Sequence, residues 1–518
     1  MELSCPATAD QSAAEVACSA AATDPGPDHS GLASLEYSAR LRDGAWLAWK
    51  AVENGGTFAF PAVATIEVKA RATDKAGRAA TEAATVKIPS PPVDVSAPPS
   101  VPVPLPPDHP TCQGQPATIL GTAGDDRGET ALVGTAGGDV IITGGGDDEL
   151  LNVDERDLVC EQPESGPSLS ELGDVEVSAT AADGTAAASV ATNKPFGYMD
   201  QTSYLASEAA GGANATRIYV PGPVDCPSFN WATFDNAFQT AGQHDLRIVL
   251  GVTWRQTCGD PSPPTTQADL TEWTTFIRDA VNHAVWYSAV GGLQTYSNVW
   301  VEVWNEPNVR NFWGGAPSAF GYALIYWYAW SGVQAAEGDW GPGFSFPIMT
   351  AGMGRPDGSC PGDSNYVCVR RFLEDVKATL SAWSAVWMVE MTGAHIYPFP
   401  YALNQRTQQE YIDEVGRQFN QVRTPFPAVQ TFITEAGIRS DAPLNQLAQC
   451  NRLLDIYRGW LPSTATGGLI VFRLVHNLND PAVEFRRMGT VEADGTTPKK
   501  AFFYLQALRL GQNPTSCS

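Results

Sequence analysis

Two glutamates, each at the end of an apolar run, are the residues of this chain best suited to chemistry. The run over residues 299–306 ends at Glu306, and the run over residues 431–435 ends at Glu435. Both runs are rich in β-branched and aromatic residues, which predicts two strands. In a parallel α/β barrel, the side chains at the carboxyl ends of the strands form the active site. Two glutamates that face each other there are the minimum equipment for cleaving a glycosidic bond.

The two carboxyl groups would need opposite protonation states. A general acid must be protonated near neutrality, although free glutamate titrates at about pH 4.3. Burial and a negative neighbour both raise the pKa of such an acid, and formation of a glycosyl-enzyme then removes the negative neighbour. The alternative interpretation is that both glutamates only cap surface loops.

The surrounding motifs resemble a known group of enzymes. The letters WNEP at 304–307, followed much later by TEAG at 434–437, are similar to the retaining glycoside hydrolases of clan A, most of all families 39 and 5. This resemblance covers residues 186–518 and implies a (β/α)8 barrel that needs no cofactor for catalysis. It implies that Glu306 is the acid/base after the fourth strand and that Glu435 is the nucleophile after the seventh.

The resemblance implies roles for four further residues. Asn305 would bind the sugar hydroxyl next to the reacting carbon, and Arg217 would support the nucleophile. In the sixth strand, Tyr397 would position the nucleophile and His395 would line the subsite where cleavage starts. A packed or capped residue is the plainer interpretation of a single histidine or tyrosine in a strand.

Alternation in the fourth strand gives an independent prediction for Arg217. Glu302, Trp304 and Glu306 share one parity and are expected to face the barrel interior, whereas the intervening valines should face the helices. A buried Glu302 needs a cationic partner, and Arg217 on the second strand is the candidate.

Aromatic residues near the strand ends are candidates for stacking on sugar rings. Trp254 follows the third strand and Trp313 lies just beyond Glu306, but both could equally be core residues. Clan members usually end the eighth strand with a tryptophan, whereas residues 471–477 read VFRLVHN. Either Phe472 replaces that tryptophan or polar residues, including His476, build a more polar subsite, which leaves the sugar undetermined.

Eight candidate strands alternate with helical patterns after residue 186, which predicts a closed (β/α)8 barrel. The predicted strands are Phe196–Met199, Thr216–Val220, Leu246–Thr253, Val299–Trp304, Pro347–Gly352, Thr392–Tyr397, Thr431–Thr434 and Leu469–Leu474.

The first third of the chain has a different organisation. Residues 1–88 show period-2 alternation between turns, which predicts antiparallel strands and resembles bacterial immunoglobulin-like modules that serve as spacers. Residues 89–111 form a predicted polyproline linker, with ten prolines within 89–110. Residues 162–185 form a second predicted linker.

Residues 112–161 contain a nine-residue repeat between the two linkers. Asp139, Asp148 and Asp157 share one register, and Ile141, Leu150 and Val159 follow two positions later. The pattern resembles the nonapeptide of RTX-type β-rolls, in which a Gly-rich half turn wraps calcium and the aliphatic residue fills the core. A calcium-binding roll and a degenerate, metal-free roll both fit the repeat.

Composition restricts the classes of partner and compartment. A net charge of −25 argues against nucleic acid and anionic membrane surfaces as partners. No apolar run reaches membrane-spanning length. The ten cysteines predict five disulfides in an oxidising compartment, paired by proximity. These pairs are Cys5/Cys18, Cys112/Cys160, Cys226/Cys258, Cys360/Cys368 and Cys450/Cys517.

Two functions from different classes fit these observations. The first is a secreted, monomeric, retaining β-glycosidase that acts on a polysaccharide or glycoconjugate. The second is a glycan-binding or adhesion protein whose barrel has lost activity. Retention of both Glu306 and Glu435 favours the enzyme, and the absence of a leader in the first residues of this sequence is attributed to its prior removal.

Overall fold

A computed structural model gives the coordinates of the chain. The structure describes residues 1–8, 15–23, 31–88, 111–112, 115–116, 119–120, 132–133, 140–142, 150–151, 158–160, 194–199, 204–222, 229–255, 262–291, 299–341, 343–354, 367–398, 407–438, 443–460, 463–472, 490–491, 498–509 and 517. The predicted linkers at 89–111 and 162–185 lie almost wholly outside these residues, so the proposed domain boundaries stay predictions.

The strands of the described residues are numbered in chain order. They are β1 Glu2–Ser4, β2 Glu15–Ala21, β3 Leu32–Leu41, β4 Lys50–Ala51, β5 Thr57–Pro61, β6 Ile66–Asp74, β7 Ala79–Val86, β8 Thr111–Cys112, β9 Gln115–Pro116, β10 Ile119–Leu120, β11 Leu132–Val133, β12 Val140–Ile142, β13 Leu150–Leu151, β14 Leu158–Cys160, β15 Phe196–Met199, β16 Ala215–Pro221, β17 Arg247–Thr253, β18 Val299–Val303, β19 Ile348–Thr350, β20 Met391–Ile396, β21 Gln430–Ala436 and β22 Thr466–Phe472.

The helices are numbered in the same way. They are α1 Leu205–Ala210, α2 Trp231–Gln243, α3 Gln267–Gly291, α4 Arg310–Trp313, α5 Ala319–Trp340, α6 Val369–Ala382, α7 Gln408–Arg423, α8 Pro443–Trp460 and α9 Lys500–Arg509, with a 3-10 turn at Val386–Met388.

Strands β15 to β22 close into a parallel barrel in sequence order. Each strand pairs with its neighbour in the chain, and β15 pairs with β22 to complete the ring. The predicted eight-stranded barrel is therefore confirmed. Helices lie between successive strands, and α6 buries the apolar face that its 3.6-residue spacing predicts.

The inside and the outside of the barrel are packed by different side chains. Six residues from six strands form a separate buried cluster inside it: Ala215, Val249, Met349, Met391, Phe432 and Ile470. On β18, Val299, Val301 and Val303 belong instead to the large core outside the barrel, as alternation predicts. This arrangement leaves the inward positions nearer the carboxyl ends of the strands for polar groups.

Trp304 departs from the predicted alternation. Its φ is +76°, a left-handed conformation that is uncommon outside glycine, and it follows the last strand residue, Val303. The Trp304 ring packs near Trp273 of α3 and near Trp313, with centroid separations of 6.1 and 5.4 Å. The prediction that Trp304 faces the interior is wrong, because its positive φ interrupts the regular alternation of side chains directly after β18.

Two antiparallel sheets build the first 88 residues, with strand orders β1-β2-β5 and β4-β3-β6-β7. Their inward side chains include Val16, Leu35, Phe58, Ile66 and Val68, all buried. The predicted antiparallel strands with one buried face are confirmed. The resemblance to an immunoglobulin-like module stays a prediction.

The N-terminal sheets are docked on the barrel helices. Asp235 of α2 accepts a hydrogen bond from the backbone N–H of Ala45 at 2.8 Å, and Tyr287 of α3 donates to the carbonyl of Ala45 at 2.7 Å. His283 is within 2.7 Å of the other oxygen of Asp235. Gly44 permits this approach, since a Cβ there would lie 2.7 Å from Asp235 Oδ2. The sheets therefore have a fixed contact with the barrel, which a simple spacer would not require.

Strands β10 to β14 of the repeat segment are paired in parallel and alternate between two small sheets, whereas β8 and β9 pair antiparallel. Leu132 pairs with Leu150 in one sheet, and Ile141 pairs with Val159 in the other. Ile141 is buried, whereas Leu150 and Val159 are 37% and 39% exposed, so only Ile141 fills a core as predicted. Asp139, Asp148 and Asp157 lie outside the described residues.

Two of the predicted disulfides are present in the described residues. Cys5 is bonded to Cys18, and Cys450 is bonded to Cys517. Cys160 and Cys368 are disulfide-bonded as well. Among the described helices, none combines the length and the apolar character needed to cross a membrane.

Candidate active site

Glu306 and Glu435 meet at the carboxyl end of the barrel, together with His395. One carboxylate oxygen from each glutamate and a ring nitrogen of His395 all lie within 4.8 Å of one another. Glu306 follows β18, Glu435 is near the end of β21 and His395 is near the end of β20. Residues from three strands, far apart in sequence, thus converge as the barrel prediction requires.

A β-bulge brings Glu435 into the site. Phe432 belongs to the interior cluster, so strict alternation along β21 would turn Glu435 towards the helices. The pairing with β20 shifts register here, since Ala394 pairs with Ile433 and His395 pairs with Glu435. The extra residue in β21 restores the inward direction for the glutamate.

Arg217 connects the carboxylates of Glu302 and Glu435. Its Nε donates to Glu302 Oε2 at 2.6 Å, and its Nη1 donates to Glu435 Oε1 at 2.6 Å. Arg217 and Glu302 have no exposed side-chain surface. The second oxygen of Glu302 accepts from the backbone N–H of Gly352 at 2.9 Å. The predicted pairing of Glu302 with Arg217 is therefore present, and Arg217 also holds Glu435.

Opposing effects set the charge of Glu435. Burial would raise the pKa of the Glu435 carboxyl, but the charges of His395 and Arg217 and the hydrogen bonds from Tyr397 and Arg217 outweigh burial and hold it below its usual value. The Tyr397 hydroxyl donates to Glu435 Oε2 in a short hydrogen bond. Glu435 is thus kept as a carboxylate.

His395 lies between the two glutamates. Its Nδ1 is 2.8 Å from Glu306 Oε1, and its Nε2 is 3.5 Å from Glu435 Oε1. Burial would lower the pKa of His395, but the charges of Glu435 and Glu306 and the hydrogen bond to Glu306 raise it overall. A protonated imidazole in this place donates to Glu306 and fixes the direction of its side chain.

Glu306 is held by an unusual backbone. Its φ is +45°, in the left-handed region, which costs free energy and persists only where the surroundings require it. The Glu306 N–H donates to the carbonyl of Gly352 at 3.0 Å. Gly354 admits the carboxyl group, because a Cβ there would come within 2.7 Å of Glu306 Oε2. The Glu306 side chain remains 17% exposed, against 7% for Glu435.

The sequence analysis does not predict Asn308, Gly352 or Gly354 as site residues. The Asn308 side chain donates to the carbonyls of Gly354 and Val367 and accepts from the N–H of Gly354. It thereby ties the segment after β18 to the segment after β19. The sequence signal was its place directly after Glu306-Pro307, where an amide can clamp a turn.

The remaining predicted residues are at different distances from the chemistry. Asn305 Oδ1 is 3.4 Å from Nη2 of Arg217, so it borders the site. The Phe472 ring packs edge-to-face on Tyr397, with centroids 5.7 Å apart, which brings the end of β22 beside the tyrosine that donates to Glu435. His476 lies outside the described residues.

Trp254 and Trp313 are core residues in this structure. They are 2% and 4% exposed, respectively. Trp254 packs edge-to-face on Trp273, and Trp313 packs beside Trp304. Of the two interpretations that the sequence left open, the structure agrees with packing for both rings.

A metal ion is a poor fit for the glutamates and His395. The three groups have the spacing of a metal site, but the Arg217 guanidinium already occupies Glu435 Oε1 and would repel a cation. The arrangement suits proton transfer beside a fixed carboxylate.

Among known proteins, only solved structures are similar to this chain. No protein-family model matches the chain, and no curated protein matches it. A family 39 glycoside hydrolase from Bacteroides cellulosilyticus WH2 is similar with 8% identity and a TM-score of 0.40, over 98% of this chain and 82% of that one.

Two further solved structures are similar over a smaller share of this chain. The GH39 enzyme from Xanthomonas axonopodis pv. citri has 14% identity and a TM-score of 0.43, over 62% of this chain and 66% of its own. The exo-β-1,4-mannosidase Op5Man5 from Opitutaceae bacterium strain TAV5 has 13% identity and a TM-score of 0.44, over 61% and 59%. The chain thus covers less than two thirds of the length of these two proteins.

Proposed function

We propose that this chain is a retaining β-glycosidase that cleaves O-glycosidic bonds through a glycosyl-enzyme intermediate. The observation that carries the proposal is the approach of Glu306 and Glu435, with carboxylate oxygens within 4.8 Å of each other. Retaining enzymes have carboxyl groups about 5–5.5 Å apart, whereas inverting enzymes need about 6.5–9.5 Å to admit a water. The short separation supports attack by a carboxylate of the protein.

Glu435 is the proposed nucleophile. Arg217, His395 and Tyr397 together lower its pKa, so it is ionised and its direction is fixed by hydrogen bonds to both oxygens. In the first step, one of these oxygens bonds to the anomeric carbon while the bond to the leaving oxygen breaks. The negative charge of Glu435 is consumed in the ester.

Glu306 is the proposed acid/base. It is the more exposed of the two carboxyl groups, so a leaving group and later a water can reach it. It gives its proton to the leaving oxygen in the first step and takes a proton from the attacking water in the second. Asn305, which follows Trp304 and borders Arg217, is proposed to bind the hydroxyl next to the reacting carbon. No cofactor takes part in these steps.

Chemical rescue tests the assignment of both roles. Wild-type protein is first screened with aryl β-glycosides of different sugars, and turnover with retention is expected for at least one. Glu435→Gly should be inactive, and azide should restore turnover with an α-glycosyl azide as product. Glu306→Ala should retain activity on activated aryl glycosides, and azide should then give a β-glycosyl azide.

The possible outcomes separate the proposal from its alternatives. The reverse stereochemical pairing would exchange the two roles. Full activity of either variant would remove this site from the mechanism. Wild-type protein that binds glycans and turns over none of them would identify the chain as a glycan-binding or adhesion protein.

We also propose that the protein is secreted and that its repeat segment binds calcium. The disulfides at Cys5/Cys18 and Cys450/Cys517 support an oxidising compartment. The parallel pairing of Leu132 with Leu150 supports stacked repeats. Thorough chelation should lower the melting temperature of the repeat segment and leave barrel activity intact. An unchanged melting profile would make the segment a metal-free spacer.

A further inference from the structure

Two buried hydroxyl groups on the second and third barrel strands have no hydrogen-bond partner among the residues that the structure describes. They belong to Tyr219 of β16 and Thr253 of β17, and both oxygens are buried without a partner in the described structure. Thr253 has no exposed surface at all. A buried hydroxyl without a hydrogen-bond partner destabilises a fold, because it has lost its hydrogen bonds to water. Two such groups in one place therefore require a reason.

Both hydroxyls face the inside of the barrel at its carboxyl end. Tyr219 is two residues after Arg217 and shares its inward face, since side chains alternate along a strand. Thr253 is four residues after Val249, which belongs to the interior cluster. The two strands pair in register, with Tyr219 opposite Gly251 and Pro221 opposite Thr253. Tyr219 and Thr253 are therefore neighbours on one wall.

The Tyr219 ring lies beside the reactive carboxylates. The Arg217 guanidinium is 4.9 Å from the centroid of the Tyr219 ring. Burial raises the pKa of the Tyr219 hydroxyl well above its usual value; the charge of Arg217 opposes this, and those of Glu302, Glu435 and Glu306 add to it. The hydroxyl therefore stays protonated and can donate a hydrogen bond.

A missing side chain on the neighbouring strand lets the ring take this position. A Cβ at Gly251 would lie 2.8 Å from Cδ2 and Cε2 of Tyr219, which is closer than van der Waals contact allows. The Tyr219 ring thus lies against Gly251 of β17, two residues before Thr253. The wall is shaped to bring an aromatic hydroxyl and an aliphatic hydroxyl together.

We infer that Tyr219 and Thr253 form the hydroxyl-recognising wall of the subsite that holds the reacting sugar, and that they determine which sugar is accepted. The inference rests on the proposed glycosidase function. A sugar hydroxyl both donates and accepts hydrogen bonds, so it can satisfy both groups at once. The adjacent cation, Arg217, is already paired with Glu302 and Glu435. The wall therefore fits a neutral sugar and not an acidic one.

Substrates that lack one hydroxyl at a time test this inference. The panel consists of aryl β-glycosides of the sugar that wild-type protein cleaves, with each ring hydroxyl replaced in turn by hydrogen. Tyr219→Phe and Thr253→Val should each lower kcat/KM for the parent by about 10- to 100-fold. For the one deoxy substrate that lacks the recognised hydroxyl, the same substitution should change kcat/KM little, because the partner is already absent.

Two matched variants control for the loss of a buried hydroxyl as such. Tyr411 of α7 and Thr466 at the start of β22 also bury hydroxyls that have no partner in the described structure. Tyr411 belongs to a helix outside the barrel strands, and Thr466 is at the amino end of its strand. Tyr411→Phe and Thr466→Val should leave kcat/KM unchanged on every substrate of the panel.

The results distinguish failure of the inference from failure of the proposed function. Wild-type protein that turns over no glycoside contradicts the proposed function. Wild-type turnover, combined with equal losses in Tyr219→Phe and Thr253→Val on parent and all deoxy substrates, overturns the inference alone. Unchanged kcat/KM in both variants overturns it as well.

Discussion

The His395 ring occupies the space that a side chain at position 352 would need, and the residue there is Gly352. A Cβ on Gly352 would overlap Cδ2 and Nε2 of His395 and would come within 2.7 Å of Thr434 Oγ1. Gly352 follows β19, and its N–H and carbonyl hold Glu302 and Glu306. One residue without a side chain thus permits the packing of His395 between the two glutamates.

The first prediction is that Gly352→Ala lowers kcat by roughly 100-fold, since a displacement of about 1 Å at a catalytic centre has an effect of this size. The His395 ring must move, and Glu306 loses its fixed direction. Steady-state kinetics and thermal unfolding together measure the effect. Gly338→Ala on α5 is the control, because a Cβ there meets nothing within 4 Å. Normal kcat in Gly352→Ala would show that the His395 position is not critical.

The second prediction concerns the acidic limb of the pH profile. The pKa of Glu435 is lowered. Its carboxylate form contributes stability that is present above the unfolded pKa. Both the carboxylate and this stability are lost as pH falls through the folded pKa. Tyr397→Phe removes one of the hydrogen bonds that lower this pKa. The acidic limb of kcat/KM should therefore move to higher pH. A reduced kcat with an unmoved limb would contradict this role for Tyr397.

The third prediction concerns His395, whose pKa is raised. The stability contributed by its proton is fully present below the unfolded value of about 6.5 and is lost as pH rises through the folded pKa. Denaturant unfolding of wild type and His395→Asn should therefore differ most at low pH. The difference in free energy of unfolding should narrow as pH rises above neutrality. A difference that is constant with pH would mean that only packing is lost.

The fourth prediction concerns the buried pair of Arg217 and Glu302. Arg217→Met leaves Glu302 charged and unpaired without solvent, so it should destabilise the protein by about 3–5 kcal/mol. Adding Glu302→Met should recover much of this loss. Arg370→Met, which breaks an exposed pair with Glu374 on α6, should change stability by less than about 1 kcal/mol. Additive effects of Arg217→Met and Glu302→Met in chemical denaturation would argue against the pair.

The eight barrel strands and the pairing of Arg217 with Glu302 could be predicted because each depends on local information. Runs of β-branched residues identify a strand, and period-2 alternation along β18 identifies the buried carboxylate. A buried carboxylate then requires a cation, and Arg217 has the right parity on β16. Each step uses residues within one strand or a general rule of charge pairing.

The orientation of Trp304 and the bulge at Glu435 could not be predicted in the same way. Alternation assumes regular backbone, whereas Trp304 adopts a positive φ and β21 gains a residue relative to β20. For Glu435 the motif resemblance gave the inward position that alternation alone would have denied. Functional strand ends are the places where local rules are expected to fail.

The docking of the N-terminal sheets was also hidden from the sequence. Ala45 and Asp235 are 190 residues apart, and no pattern around Gly44 indicates a partner. The contact depends on two buried side chains that meet a backbone amide and carbonyl, which any residue could supply. Asp235 and Tyr287 meet Ala45 only in the folded chain.

The contact between Ala45 and the barrel helices can form only late in synthesis. The N-terminal sheets leave the ribosome before α2 and α3 have been made. These two helices supply Asp235 and Tyr287, the partners of Ala45. At about 5–20 residues per second, the 190 residues between Ala45 and Asp235 take roughly 10–40 s to follow. During that interval the backbone N–H and carbonyl of Ala45 are without the partners that Asp235 and Tyr287 later supply.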